Sequence, residues 1–309
     1  MIISIITPIY KGKEYIPKLM KMIDHNAKKL RTLNPETRVE YILVNDSPEE
    51  KITFEKEGVE GLSYELILLT NDRNLGVHAS RVNGLKRASG EYISFLDQDD
   101  EISDDFLFLQ YKRAKEKPEA DVIVCNAYKE TEKGKEIWYP NQMRFHLVTK
   151  KKYYIWIKNQ IISPGQCLIK KESIPSAWCE NIVNKTGADD LMLWILMFAA
   201  ESKYAINEEL LYIHKNSGNN VSLNAKKMYA SFEETAVQLR NTGSVSEHDL
   251  KIMHRYHYFK YKLHTSSSHI EKIGCCFVNL DFVAFHLFYK LIGAIKTYNN
   301  VAINFDMRE

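Results

Sequence analysis

The stretch that decides the fold reads YISFLDQDD, from Tyr92 to Asp100. It is a short apolar run that passes directly into an acidic run. Five apolar or small residues bounded by turn-forming residues predict a buried β-strand. In an open α/β sheet, ligands bind beyond the carboxyl ends of the strands. We therefore expect this strand to deliver the carboxylates of Asp97, Asp99 and Asp100 to a functional edge of a sheet.

On both sides of this strand, short apolar runs alternate with segments of helical periodicity. The alternation predicts an α/β fold with a mostly parallel sheet. The predicted strands are 2–7, 41–44, 65–69, 92–96 and 121–125, and the predicted helices are 14–30, 77–89 and 104–115.

The pattern loosens beyond Thr131. A strand at 166–170, an apolar helix at 188–200 and a strand at 210–214 are predicted there, followed by helices from Ala225 onward. The sequence thus predicts an α/β domain over residues 1–224 and a helical C-terminal region over residues 225–309.

Composition sets limits on function. The chain has 309 residues, 45% hydrophobic and 27% charged, with a formal net charge of +2, so nothing indicates a nucleic-acid partner. The five cysteines are odd in number and lack the spacing of a zinc or redox motif, which is typical of a reducing compartment. The N-terminus does not have the pattern of a signal peptide, so we expect a cytoplasmic protein.

The segment from Cys275 to Ile295 is strongly apolar but contains four polar residues, and it is predicted to form one amphipathic helix. Asn279, His286, Lys290 and Thr297 would share its narrow polar stripe. Its wide apolar face either packs on the main domain or a partner subunit, or rests on the inner face of a membrane.

Three predicted strands end in polar residues, at Thr7-Pro8, at Asn45-Asp46 and at Asp97-Gln98-Asp99. Carboxylates that lie together repel one another unless a cation shares them, and Mg²⁺ or Mn²⁺ prefers such oxygen ligands together with substrate phosphates. The alternative is an acidic turn that caps the next helix.

Several segments in this order resemble those of the family 2 glycosyltransferases. The resemblance covers about residues 1–222 and rests on ISIITPIY (3–10), ILVNDS (42–47), NLG (74–76), SGEYISFLDQDD (89–100), GADDLMLW (187–194) and YIHKNS (212–217). It implies the GT-A fold and an inverting transfer from a nucleotide-diphosphate sugar.

The resemblance assigns the donor site residue by residue. Thr7, Pro8 and Tyr10 would hold the nucleoside, and Asp46 would hydrogen-bond its base, typically uracil. Asn74 would line the donor site and Asp97 would contact the ribose or the sugar. The remaining residues assigned to the sugar or the diphosphate are Arg81, His78, Asp189 and His214, and a solvated helix face is the alternative for Arg81 and His78.

The resemblance also implies a metal and a base. Asp99 would be the direct ligand of Mn²⁺ or Mg²⁺, and Asp190 would be the catalytic base that takes the proton of the acceptor hydroxyl. For the pair Asp189 and Asp190, the alternative is a purely structural role as caps of the helix N-terminus. Both roles are compatible, since one acid can cap while the other reacts. Asp100 is expected at most to cap a helix.

The processive synthases of this family carry a Gln-x-x-Arg-Trp motif, which this chain lacks. The resemblance therefore implies addition of a single sugar to a saccharide or lipid-linked saccharide, as in the synthesis of bacterial capsule, exopolysaccharide or lipopolysaccharide. Two other classes stay open: a sugar nucleotidyltransferase, and a non-catalytic binding module with the same fold.

Overall fold

The structure is a computed structural model, and it describes residues 1–55, 59–132, 134–215 and 224–295. Asn216, Ser217 and Thr297, which belong to the motifs named above, lie outside these ranges.

One mixed sheet forms the centre of the fold. Its strands run in the order β3-β2-β1-β4-β8-β6-β9-β5, and β7 pairs with β6 outside this path. In chain order the strands are β1 (Ile2–Ile9), β2 (Arg38–Asn45), β3 (Glu65–Thr70), β4 (Tyr92–Phe95), β5 (Glu101–Ile102), β6 (Val122–Thr131), β7 (Gly134–Ile137), β8 (Cys167–Lys170) and β9 (Tyr204–His214).

The expectation of a mostly parallel sheet holds for the block β3-β2-β1-β4 and for the pair β6–β9, whereas the remaining pairs of strands are antiparallel. The block β3-β2-β1-β4 is parallel throughout, as the alternation of strands and helices predicts. Strand β8, however, runs antiparallel to both β4 and β6, and β5 and β7 also pair antiparallel. For β7 the reason is connectivity: it begins three residues after β6 ends, which is too short for the crossover that parallel pairing requires.

Helices cover both faces of the sheet, and each face has its own apolar core. The helices up to β9 are α1 (Ile16–Leu33), α2 (Val77–Arg87), α3 (Phe106–Glu116), α4 (Gln142–His146), α5 (Lys151–Trp156), α6 (Ser176–Glu180) and α7 (Asp189–Ala199). Shorter 3₁₀ turns occur at Lys13–Tyr15, Leu147–Thr149, Pro164–Gln166 and Lys171–Ser173.

Helix α2 lies unusually close to the sheet because of Gly84. A Cβ atom at this position would overlap the side chain of Ile6 in β1 and come within 3.2 Å of Val44 Cγ2 in β2. The helix begins after Gly76, whose φ of +85° is a conformation that glycine adopts without strain. Gly84 thus allows the short distance between α2 and the sheet, and Gly76 sets where this helix, which carries Arg81, begins.

Four further helices follow β9: α8 (Ala225–Asn241), α9 (Glu247–Thr265), α10 (His269–Val278) and α11 (Leu280–Ala294). Buried side chains of α8 and α9, including Phe232, Leu239 and Met253, belong to the same core cluster as α2 and α7. The division into domains at residue 224 stays a prediction, but one apolar core extends across it.

The single amphipathic helix expected over Cys275–Ile295 is wrong. Asn279 separates α10 from α11, and the two axes are bent by 91°. Its buried side chain donates to the carbonyl of Cys275, so the polar group is satisfied inside the bend. Within the described ranges no single helix is long and apolar enough to cross a membrane, whereas the bent pair α10–α11 passes that test jointly, by length and composition alone.

Candidate active site

A cavity of about 710 Å³ opens beyond the carboxyl ends of β1, β2 and β4. This is the size of a pocket that takes a small-molecule ligand. It brings together ten of the site residues predicted from the sequence, from six separate segments of the chain: Pro8, Tyr10, Asp46, Asn74, Arg81, Asp97, Asp99, Asp189, Asp190 and His214.

Two predicted residues do not line this cavity. Thr7 is fully buried within β1. His78 is also fully buried, and both its ring nitrogens are engaged: Nδ1 accepts from the amide of Val183, and Nε2 lies 3.0 Å from the carbonyl of Trp178. Because Nδ1 accepts, the proton is on Nε2 and the ring is neutral. His78 ties α2 to the segment after α6 and does not face the cavity, so the suggested contact with sugar or diphosphate is wrong.

The turns after β1 and β4 are joined by the side-chain amide of Gln98. The amide of Tyr10 donates to Gln98 Oε1 at 2.8 Å, and Gln98 Nε2 donates back to the carbonyl of Tyr10 at 3.2 Å. Gly12 makes room for this pairing, because a Cβ atom there would lie 2.5 Å from Gln98 Oε1. The middle residue of the acidic run therefore positions the exposed ring of Tyr10 at the cavity mouth.

Asp46 is nearly fully buried, and its carboxylate organises the backbone that precedes α2. Oδ1 accepts from the side chain of Asn71 and the amide of Leu75, while Oδ2 accepts from the amide of Gly76. The sequence did not predict this role. Each carboxylate oxygen can accept two hydrogen bonds, so Oδ2 keeps one lone pair for a ligand at the cavity wall.

Arg81 is buried at the back of the cavity between two carboxylates. Its Nη1 donates to Asp189 Oδ2 at 2.6 Å, and its Nη2 pairs with Asp97 Oδ1. These ion pairs outweigh burial and raise the pKa of Arg81, so the guanidinium stays charged. Asp189 does not cap its helix, which was the alternative for this pair of acids, since its carboxylate binds Arg81 and α7 has no side-chain cap.

The acidic run divides into two functions. Asp97 and Asp99 line the cavity, and Asp97 Oδ2 also accepts from Ser163 Oγ at 2.9 Å. Asp100 is buried on the far side and binds the end of β9 through the hydroxyl of Tyr212, His214 Nδ1 and the amide of Lys215. It does not cap a helix: α3 begins after Asp105.

Asp100 and His214 perturb one another. Burial raises the pKa of Asp100 to about 6, although the bond to His214 acts against it. Burial also disfavours protonation of His214, but its bond to Asp100 and the negative charge of that carboxylate outweigh burial, and the pKa of the imidazole is raised. The raised pKa favours the cationic form of His214, whose ring lines the cavity.

Asp190 lies in the first turn of α7 and is partly exposed to the cavity. Its Oδ2 accepts from Asn159 Nδ2 at 2.6 Å. Burial raises the pKa of this carboxyl group to about 7, and the charge of Asp189 acts in the same direction. A carboxyl group with this pKa can take a proton at neutral pH and release it again.

Sequence reasoning missed some members of the site. Asn159 carries no motif that would reveal its bond to Asp190. Ser163 belongs to none of the motifs named above, and its bond to Asp97 has no local signature. Met228 of α8 also lines the cavity, and Ser231 of the same helix accepts from the amide of Ala188 at 3.1 Å. The helical C-terminal region therefore supports the site directly.

The cavity is acidic. Among the described residues, six acidic side chains line it, from Glu14, Asp46, Asp97, Asp99, Asp189 and Asp190, against two permanent cations, Lys11 and Arg81. A diphosphate would be repelled here unless a cation came with it. No group of three His, Cys, Asp or Glu side chains in the described ranges is placed to hold a metal by itself. The donor set suits a hard cation that binds one carboxylate and completes its shell with phosphate oxygens and water.

Comparison with known proteins gives the family. The model of the family described as glycosyl transferase family 2 matches residues 4–176, which is more than half of the chain. Glycosyltransferase GlyA of Streptococcus pneumoniae is 28% identical over 126 residues, covering 41% of this chain and 17% of GlyA. MJ1057 of Methanocaldococcus jannaschii, an uncharacterized glycosyltransferase, is 27% identical over 199 residues, covering 62% of this chain and 66% of MJ1057. The chain thus spans less than two thirds of the length of either relative.

Solved structures give the fold. S. aureus TarS 1–349 in complex with UDP-GlcNAc superposes with a TM-score of 0.58 at 18% identity, covering 92% of this chain and 81% of TarS 1–349. Mannosyltransferase PcManGT from Pyrobaculum calidifontis, in complex with GDP-Man and Mn²⁺, superposes with a TM-score of 0.55 at 12% identity, covering 95% of this chain and 86% of the other. Together with the mixed α/β sheet and the C-terminal helices, these likenesses confirm the predicted GT-A fold.

Proposed function

The chain belongs to glycosyl transferase family 2, and from this premise we propose that it moves one sugar from a nucleotide-diphosphate sugar to an acceptor hydroxyl with inversion. The observation that carries the proposal is that one cavity holds both Asp99, after β4, and Asp190, at the start of α7. One acid suits the departing diphosphate and the other suits the attacking hydroxyl.

The donor would lie along the turns after β1, β2 and β4. Tyr10 would stack on the nucleoside and Asp46 would accept a hydrogen bond from the base, with a UDP-sugar as the preferred donor. Asp97 would face the ribose or the sugar, and Arg81 would keep Asp97 and Asp189 in position. His214 would approach the diphosphate from the opposite wall, where its raised pKa favours a positive charge.

Asp99 would hold Mn²⁺ or Mg²⁺ together with the diphosphate oxygens. A bound cation of this kind stabilises the charge that develops on a departing nucleoside diphosphate. The six carboxylates of the cavity support the assignment, because they leave the diphosphate without sufficient positive charge from the protein.

Asp190 would accept the proton of the acceptor hydroxyl as that oxygen attacks the anomeric carbon on the face opposite the leaving group. Its pKa of about 7 allows the carboxylate form at neutral pH while keeping its affinity for a proton high. Asn159 would orient the carboxylate through its bond to Oδ2.

The acceptor would be a saccharide or a lipid-linked saccharide, in the synthesis of a bacterial surface polysaccharide such as capsule, exopolysaccharide or lipopolysaccharide. We propose a cytoplasmic enzyme that touches the inner face of the membrane through the apolar surface of α10 and α11. The five free cysteines support a reducing compartment. The exposed side chains that support membrane contact are Ile270, Ile273, Phe277, Val278, Leu280, Leu287, Phe288, Leu291 and Ile295.

A hydrolysis screen tests the proposal without an acceptor. The purified chain is incubated with a panel of UDP-, GDP- and dTDP-sugars and Mn²⁺ or Mg²⁺, and release of nucleoside diphosphate is measured. We expect release from one donor class, its loss in chelator and its recovery on addition of metal. Full activity in chelator would remove the metal from the proposal.

The same screen separates the other two classes. A sugar nucleotidyltransferase would release pyrophosphate from a nucleoside triphosphate and a sugar 1-phosphate, which the proposed transferase does not. A non-catalytic module would bind a nucleotide sugar, detected by calorimetry, and leave it intact.

A further inference from the structure

Basic side chains from four parts of the fold gather away from the cavity, where the segment 141–160 and strand β6 meet the C-terminal helices. Helix α4 packs on α11, and α5 packs on α9, so these elements share one interface. We call the following six residues the basic cluster: Lys129, Arg144, Lys158, Lys260, His286 and Lys290.

Aromatic rings hold three of these cations in place. Lys158 Nζ lies 4.4 Å from the ring centre of Trp138, and Lys129 Nζ lies 5.8 Å from the same ring. The guanidinium carbon of Arg144 lies 3.0 Å from the ring centre of Tyr289 in α11. The Nη1 atom of Arg144 is buried and makes no hydrogen bond within the described part of the chain.

No carboxylate in the described ranges forms an ion pair with any member of the basic cluster. Glu208, which lies beside α4, accepts a hydrogen bond from Gln142 instead. Arg81, by contrast, is nearly fully buried and is bound by two carboxylates, whereas the members of the basic cluster are half-buried or, for Lys290, exposed. Buried charges in proteins are normally paired.

The members of the basic cluster repel one another. Burial lowers the pKa of Lys158 to about 7, and the positive charges of Arg144 and Lys129 lower it further. Burial likewise lowers the pKa of Arg144 to about 10. The pKa of His286 is lowered by burial and then by the charge of Lys260. An anion placed among these groups would relieve the repulsion.

We propose that the basic cluster is a binding site for a phosphate group. We infer phosphate because an arginine with an unused Nη1 lies within electrostatic reach of several lysines from other elements, and such donors suit a small, highly charged oxyanion. The phosphate belongs either to a free phosphate ester or to the head group of a phospholipid. Leu287 and Leu291, exposed on α11 between and beside the cationic residues of that helix, would then contact the acyl chains.

This site is distinct from the proposed transferase site, since none of its six residues lines the cavity. The two are connected by sequence: Lys158 precedes Asn159, which binds Asp190. The proposal does not rest on transfer activity, so it is tested by binding alone.

The test uses the double variant Lys158→Gln/Lys260→Gln and the control Lys112→Gln/Lys117→Gln, which removes two exposed charges from the region of α3. In one arm, inorganic phosphate is titrated and the shift in Tm is measured, because a ligand that binds the folded state raises Tm. In the other arm, the proteins are sedimented with vesicles of phosphatidylcholine alone or with added phosphatidylglycerol. All four substitutions retain a long polar side chain, and loss of mutual repulsion is expected to keep the first variant folded.

We expect at least a tenfold loss of affinity in the double variant and none in the control. A loss in the phosphate arm indicates a free phosphate ester, and a loss confined to phosphatidylglycerol vesicles indicates a lipid head group. Equal binding by both variants, or binding of neither probe by the unmodified protein, overturns the site. A fall in Tm of the double variant without ligand would show instead that these lysines stabilise the fold, and would also overturn it.

Discussion

At the scale of single residues, the carboxyl group of Asp190 has the most sharply defined role. Replacing Asp190 by Asn removes the proton acceptor but keeps the size of the side chain. We expect transfer to fall by about 10²–10⁴-fold, the usual contribution of a general base. In the unmodified protein kcat/KM should rise as the pH increases through about 7, the pKa of this carboxyl group. Unchanged turnover in Asp190→Asn would remove the residue from the base role.

Nucleotide binding, measured by calorimetry, should persist in the same variant. Stability gives an independent control. Because the pKa of Asp190 is raised on folding, the folded protein favours the protonated form, and stability from this group is lost as pH rises from about 4 to 7. Asn resembles the protonated form. The Tm difference between Asp190→Asn and the unmodified protein should therefore grow more positive from pH 5 to pH 8.

Arg81 offers a second prediction at this scale. Arg81→Met leaves the buried carboxylate of Asp189 without its partner, and we expect a loss of about 3–5 kcal/mol in the free energy of unfolding. Adding Asp189→Asn should recover part of this loss. The loss of free energy of unfolding in the double variant should then be smaller than the sum of the two single losses, as measured by urea unfolding. Additive losses would show that the two residues act independently. Arg240→Met, which breaks the exposed pair with Glu247, is the matched control and should change little.

The sequence was informative about which acids matter and less so about what each one does. Asp97, Asp99 and Asp190 follow directly from the ends of predicted elements, because a parallel sheet brings such ends to one edge. The hydrogen bonds of Asp46 to the amides of residues 75 and 76 depend on a loop conformation. The role of Asp100 depends on its contact with β9, more than a hundred residues later in the chain. Neither contact has a local periodicity, so neither could be read from the chain.

At the scale of elements, helix and strand type were predictable wherever a local period was strong. All four strands of the parallel block and the helices between them are predicted within a few residues of the observed bounds. The antiparallel insertion of β8 was not, because strand direction depends on the path of the chain and not on the strand itself. The break at Asn279 was missed for a related reason: apolar periodicity continues through it, and only the bonds of its side chain end the helix.

Two helical glycines provide a prediction at this scale. Gly84→Ala would push α2 away from β1, since the new methyl group overlaps Ile6, and we expect a loss of about 1–3 kcal/mol in urea unfolding. Gly274→Ala, in α10, has open space around the new methyl group and should gain roughly 0.5–1 kcal/mol from helix propensity. Equal effects of the two changes would show that the approach of α2 to the sheet is not limiting.

At the scale of the whole molecule, the structure combines a buried apolar core with a solvent-exposed apolar surface. The core that unites the sheet with α8 and α9 explains why the region after residue 224 reaches the cavity through Met228. The apolar surface of α10 and α11 has no counterpart of similar extent elsewhere among the described residues. An exposed apolar patch of this kind usually marks contact with a membrane or another protein.

We expect Phe277→Glu/Leu291→Glu to reduce vesicle binding while leaving nucleotide-sugar hydrolysis unchanged. Their side chains are 69% and 67% exposed, and burying each in a membrane is worth roughly 1.5–3 kcal/mol, or at least about tenfold in affinity. Sedimentation with vesicles measures the first effect and the donor screen the second. Leu33→Glu/Val237→Glu, at exposed apolar positions elsewhere, is the control. Unchanged sedimentation together with a change from oligomer to monomer would assign the surface to a second copy of the chain.

The pairing of Gln98 with the backbone of Tyr10 has a consequence for how this family member can evolve. The side-chain amide supplies one donor and one acceptor at a fixed reach, and Gly12 must stay without a Cβ atom to admit it. A substitution of Gln98 removes the need for glycine at position 12, and a substitution of Gly12 leaves no room for the side chain of Gln98. We therefore expect positions 12 and 98 to covary in an alignment of close orthologues, even though neither residue carries a charge or takes part in the proposed chemistry.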